Sequence, residues 1–175
     1  MKRLDEAFFH RHALEVAPDL LGKLLTHTLP DGSKRTLRIS ETEAYCGEED
    51  TACHAHRGRT PRTEILYRRP GTIYIYLCYG MHNLMNVITG EEGEPQGVLI
   101  RACVDAPGPG RLTKALQLDR SLNGEDIVTD PRLAIYDDGS RYAVRTAPRV
   151  GIGYASPEDQ ARPWRFIMGK ESNDS

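Results

Sequence analysis

Polar and apolar side chains alternate most clearly over residues 35–45, RTLRISETEAY, at the two-residue period of a half-buried strand. Leu37, Ile39, Glu41, Glu43 and Tyr45 share one face of that strand; Arg38, Ser40, Thr42 and Ala44 share the other. The preceding LPDGSK places Asp31-Gly32 between two apolar runs, the signal of a hairpin turn. Upstream, PDLLGKLLTHTL predicts a short helix opening at Pro18 and Asp19 and running into a strand. Residues 72–78 and 84–89 predict two strands of a hairpin turning at Tyr79-Gly80, and GVLIRACV at 97–104 a further, buried strand. GPGRLTKALQL turns helical, with Leu112, Ala115 and Leu116 at helical spacing. Between these elements, 46–71 reads as a long, charged, irregular loop, and 126–168 as short strands and turns. No repeat or domain boundary interrupts the pattern. It predicts one mixed α/β domain over residues 1–175, rich in antiparallel pairs.

Size agrees: 175 residues suffice for one buried core and are few for two domains. The formal charge of −2 does not mark a polyanion binder, but it averages a strong local asymmetry. Residues 41–50 carry Glu41, Glu43, Glu48, Glu49 and Asp50 without a base, whereas 57–69 carry Arg57, Arg59, Arg62, Arg68 and Arg69 against Glu64 alone. A binding cleft responds to such local fields rather than to net charge. Cys46, Cys53, Cys78 and Cys103 form no C-x-x-C pair and read as reduced, buried thiols. The N-terminal stretch has no long apolar run, so neither a signal peptide nor a membrane span is expected.

Three features bear on chemistry. If Leu37 and Ile39 face the core, Glu41 and Glu43 face it as well, and a buried carboxylate needs a partner or an upward-shifted pKa. One would pair with Arg101 and the other act as a general base; alternatively the strand end twists into water and both are simply wet. Cys46, Cys53, His54 and His56 match no familiar zinc spacing, so no metal is expected. In the hairpin, Ile73, Ile75 and Leu77 oppose Tyr74, Tyr76 and Cys78, whose face is either a second core layer or a stacking surface. Tyr79, at the turn beside the arginine-rich loop, suits stacking on nucleic-acid bases. Two other readings remain: an O-glycoside hydrolase using Glu41 and Glu43 about 7 Å apart, and a module that binds nucleic acid without cutting it.

ISETEAYCGEEDTACHAHRGRTPR, RRPGTIYIYLCYGMHNLMNV, GVLIRA, GPGRLTKALQL and RVGIGYA follow one another in this chain. In that order they resemble the alkyladenine DNA glycosylase family, also called 3-methyladenine or methylpurine DNA glycosylases, from about residue 18 to 168. The resemblance implies a single domain with a curved antiparallel sheet, surrounding helices and a protruding β-hairpin that enters the minor groove of DNA. It implies a monofunctional enzyme that flips out alkylated or deaminated purines, such as 3-methyladenine, 7-methylguanine and hypoxanthine, and so starts base excision repair. By the same resemblance Glu43 activates water and Arg101 positions it. Tyr45, His54 and Tyr76 hold the flipped base, Asn86 screens out normal guanine, and Tyr79 fills the gap left in the duplex. The 57–69 arginines (Arg57, Arg59, Arg62, Arg68 and Arg69) and Lys114, with Arg141, Arg145 and Arg149, are expected to meet the phosphate backbone. The implied partner is double-stranded DNA with damaged purines, met by a monomer that in a prokaryote is cytoplasmic and nucleoid-associated, with no cofactor and no membrane.

Overall fold

A computed structural model describes residues 1–172; residues 173–175 of the expected domain lie outside the described residues. Its framework is one antiparallel sheet of β1 (Lys2–Arg3), β2 (Leu24–Thr28), β3 (Lys34–Cys46), β4 (Ile73–Cys78), β5 (His82–Thr89), β6 (Gln96–Cys103), β7 (Leu133–Asp137), β8 (Tyr142–Ala147) and β9 (Arg165–Glu171). The main path runs β1-β7-β2-β3-β6-β5-β4, and β9 pairs with the far half of β3 and carries β8. Four short helices accompany it: α1 (Glu6–Phe9), α2 (Ala13–Asp19), α3 (Pro109–Ala115) and α4 (Pro157–Ala161). No helix among the described residues is long and apolar enough to cross a membrane.

Two sequence expectations are corrected. Helix α2 ends at Pro18-Asp19 instead of starting there. His12 caps its first turn by accepting the Leu14 N–H, and Ala13, Val16 and Ala17 bury one face at helical spacing. Pro18 falls in the last turn, where its missing N–H removes only one bond from the ladder. The second correction concerns β3. Its pairing with β6 shifts register between Ile39 and Glu41 and again between Glu41 and Thr42. This bulge breaks the alternation. Ile39, Thr42 and Ala44 are buried on the helical side, where Thr42 Oγ1 donates to the Ala17 carbonyl at 2.7 Å. Glu43 and Tyr45 consequently face the other side, and Glu41 turns out toward Arg165 at 3.6 Å. One carboxylate is buried, not two.

The sheet therefore has two working faces. Ile73, Ile75, Met85, Val87, Val98 and Ile100 pack under Phe9, Val16 and Leu20 and against Leu112 and Leu116 of the α3 end, forming the main core. On the opposite face, Tyr74 and Ile88, with Tyr45 and Tyr76 partly buried, meet Cys53, Ala55, Leu66 and Tyr67 of the 47–72 connection. That connection, expected to be irregular, is pinned down by two 3₁₀ turns at His54–Arg57 and Glu64–Tyr67. Burying its apolar residues holds it as a second layer over the tyrosine face.

Candidate active site

Glu43 is fully buried on the tyrosine side of β3. Both its oxygens are occupied: the Tyr45 hydroxyl donates to Oε1 at 2.9 Å and the Val150 N–H to Oε2 at 2.7 Å. Arg101 Nε stands 3.7 Å from Oε2. Burial pushes the Glu43 carboxyl above its ordinary pKa, against the opposing pull of the Val150 amide, Arg101, Tyr45 and Arg149. Glu43 lies one hydrogen bond behind a narrow, partly open cavity of about 40 Å³. Tyr45, Cys53, His54, Tyr74, Tyr76, Asn86 and Tyr154 are among its walls.

The walls brace one another. The Tyr74 hydroxyl and His54 Nδ1 are 2.9 Å apart, and the His54 ring meets Tyr76 edge-on with centroids 4.8 Å apart. Burial, then Arg62 and Arg57, pushes the His54 pKa below the usual histidine value, favouring a neutral ring at physiological pH. Asn86 is buried and donates to the Tyr74 carbonyl at 3.2 Å. The structure thus brings Glu43, Arg101, Tyr45, His54, Tyr76 and Asn86 to one place. Glu41 is absent from this cavity and borders a separate depression with Ser40 and Arg101. The paired-carboxylate O-glycosidase reading has no geometric basis.

Beyond the cavity, the β4–β5 hairpin ends in Tyr79 and Gly80, both left-handed at φ 51° and 66°, with the Met81 N–H donating to the Cys78 carbonyl. Successive positive φ values are those of a type I′ turn. Tyr79 is 91% exposed and Met81 76%. An exposed aromatic held in left-handed backbone is costly twice over, through strain and through wet apolar surface.

A methylpurine-DNA glycosylase (MPG) family model matches residues 7–106 and 104–172. The chain belongs to the methylpurine-DNA glycosylase family. It is 42% identical to a relative from Methanocella arvoryzae, over 95% of this chain and 92% of the relative. It is also 42% identical to one from Desulfitobacterium hafniense, over 96% of both. A relative from Anaeromyxobacter dehalogenans is 46% identical, over 95% of this chain and 83% of its own. Each is provisionally named a 3-methyladenine DNA glycosylase. As a family member the enzyme is a hydrolase of N-glycosyl bonds that removes alkylated purines in DNA repair.

For a glycosylase, several arginines stand in unexpected places. Arg149 is buried and ion-paired with Asp50 at 2.6 Å, so it cannot serve as a phosphate contact. Arg59 forks both oxygens of Glu64 at 2.7 Å and lies on the Tyr67 ring, and Arg141 pairs with Asp137. Arg57, Arg62, Arg145 and Lys114 are exposed and lack an acidic partner among the described residues. Arg57 and Arg62 line a groove that adjoins the aromatic cavity and shares Cys53, His54 and Tyr154 with it. Sequence reasoning missed Tyr154 and the Val150 amide. Tyr154 is 67% exposed and donates to the Ala52 carbonyl at 2.7 Å. An aromatic after the glycines of VGIGYA was its one visible signal; a backbone N–H leaves none.

Proposed function

We propose that the enzyme flips damaged purines out of duplex DNA into the Tyr45–His54–Tyr76 cavity and hydrolyses the N-glycosidic bond with a water activated by Glu43. The observation that carries this reading is the Glu43 carboxylate, buried beside an aromatic cavity and aimed by the Tyr45 hydroxyl, the Val150 amide and Arg101.

The hairpin enters the minor groove and Tyr79 occupies the space the base vacates, offsetting part of the few kcal/mol lost in unstacking. Alkylation at a ring nitrogen leaves 3-methyladenine and 7-methylguanine cationic, and the electron-rich faces of Tyr45 and Tyr76 attract such a base by about 0.5–2 kcal/mol. Hypoxanthine, a neutral base, enters by stacking alone, and Asn86 rejects guanine at its 2-amino group. As the bond from C1′ to the purine nitrogen breaks, its electron pair leaves with the base and the sugar becomes oxocarbenium-like. Glu43 takes a proton from water, whose oxygen bonds to C1′, and Arg101 holds carboxylate and water in line. The products are free base and an abasic site. No lysine lines the cavity among the described residues, which supports simple hydrolysis over Schiff-base chemistry. One chain carries the whole site, and a monomer suffices.

Glu43→Gln tests the reading on duplexes containing hypoxanthine or 3-methyladenine, with the free base detected directly. Base release should fall by about 10²–10⁴-fold while duplex binding persists. Unchanged release removes Glu43 from the mechanism.

A further inference from the structure

The steps above leave one buried ion pair unused. Arg149 and Asp50 have side-chain exposures of 0% and 1%, and their two bonds measure 2.6 and 3.0 Å. A buried guanidinium needs acceptors for its remaining N–H groups, and where those acceptors lie decides what it holds in place. Arg149 has more partners: Nη2 donates to the Asp159 carbonyl of α4 at 3.3 Å, and the others lead toward Glu43. Its Nη1 also donates to the carbonyl of Ala44, the residue between Glu43 and Tyr45, at 3.1 Å. Its guanidinium lies against the Tyr45 ring at 5.0 Å and, with Trp164 at 4.9 Å, is flanked by two aromatics. The next residue along the chain is Val150, whose N–H bonds Glu43. Asp50 accepts from the N–H groups of Cys46 and Ala52, tying down the start of the segment that carries His54.

We propose that Arg149 is a positioning residue for base excision, its guanidinium fixing as one unit the two donors that aim Glu43, the Tyr45 hydroxyl and the Val150 amide. The proposal rests on the reading of Glu43 as the base. A lysine cannot replace this arginine, because an ammonium on a flexible stem reproduces neither the planar fork nor the stacking. The groups that face Glu43 are Tyr45 on its own strand, Arg101 from β6, Tyr76 from β4, and Arg149, the Val150 amide and Tyr154 from the 149–154 segment. Loss of the Arg149 charge leaves burial less opposed. The acid limb of the rate profile should therefore move to higher pH in a neutral variant and stay in place in a lysine variant.

The test compares Arg149→Lys, Arg149→Gln and the paired Asp50→Asn/Arg149→Gln with the parent enzyme. It uses single-turnover release of hypoxanthine, and binding of a duplex bearing a tetrahydrofuran abasic analogue. The paired variant leaves no uncompensated charge and keeps the test open if the single glutamine variant unfolds. Trp164, the sole tryptophan, packs on the guanidinium and reports by its fluorescence whether the region around Arg149 is folded. Folded variants should release base about 100-fold more slowly, as small misplacements at a reacting centre do, with duplex binding within about threefold of the parent. Release at the parental rate by Arg149→Lys or by the paired variant overturns the proposal, as does a parallel loss of binding and release. Parental release by Glu43→Gln defeats the underlying reading instead; an inactive Glu43→Gln beside a fully active Arg149→Lys defeats this proposal alone.

Discussion

In the proposed mechanism Glu43 trades stability for chemistry. It is 0% exposed, and burial raises its pKa above the ordinary carboxylate value. The folded chain therefore binds this proton more tightly than the unfolded chain does. By linkage, stability falls as pH rises from the unfolded pKa through the folded one, and at neutral pH the ionised carboxylate is a burden on the fold. Glu43→Gln should raise Tm above the parent's at pH 7. The advantage should fade below about pH 4, where the parent's carboxyl is protonated in both states. Thermal unfolding across a pH series measures this directly, and a Tm difference that ignores pH would show that the carboxylate is not desolvated. Glutamine still accepts the Val150 amide and meets the Tyr45 hydroxyl, so the comparison isolates charge from packing.

Among the elements, the β4–β5 hairpin and the β3 bulge do the positioning. The hairpin roots Tyr76 in the cavity wall and carries Tyr79 out to a wet tip in left-handed backbone at φ 51°. Glycine adopts that conformation without strain, so Tyr79→Gly should leave Tm equal or slightly raised. It should also remove a stacking contribution of about 1–3 kcal/mol, which weakens binding to a lesion duplex by roughly 5- to 150-fold. Anisotropy titration beside thermal melts separates the two effects; undiminished affinity would rule out Tyr79 as the wedge. The irregularity leaves Ser40 unpaired on β3 and Arg101 unpaired on β6, so that Glu43 changes face while Ile39 and Ala44 both remain in the core.

At the scale of the whole molecule, a chain of net charge −2 must bind a polyanion through a local field. We propose Arg57 and Arg62, exposed beside the aromatic cavity, as its source, whereas Arg59, Arg141 and Arg149 are committed to carboxylates. The double variant Arg57→Ala/Arg62→Ala should lower the slope of log affinity against log salt by about 1.8, that is about 0.9 for each phosphate no longer neutralised. Lesion preference should not change, because neither side chain lines the cavity. Titrations at several salt concentrations decide it, and an unaltered slope would place the DNA backbone on another surface.

The sequence by itself determined what depends on near neighbours. The period-two strands, the Asp31-Gly32 and Tyr79-Gly80 turns, the α3 segment and the motif order that marks the family were all legible, because alternation, turn chemistry and motif spacing are local. Tertiary structure alone decided which face each residue took and which charges were free. The β3 bulge is specified jointly with its partner strand β6, so an unbroken alternation count put Glu41 inside and set Glu43 on the face of Ile39. Arg149 looked like a surface cation because the carboxylate that neutralises it stands 99 positions earlier. The Val150 amide is common to every peptide bond; only folding turns it toward Glu43, because a backbone donor acquires chemical meaning from what is brought within hydrogen-bond reach of it.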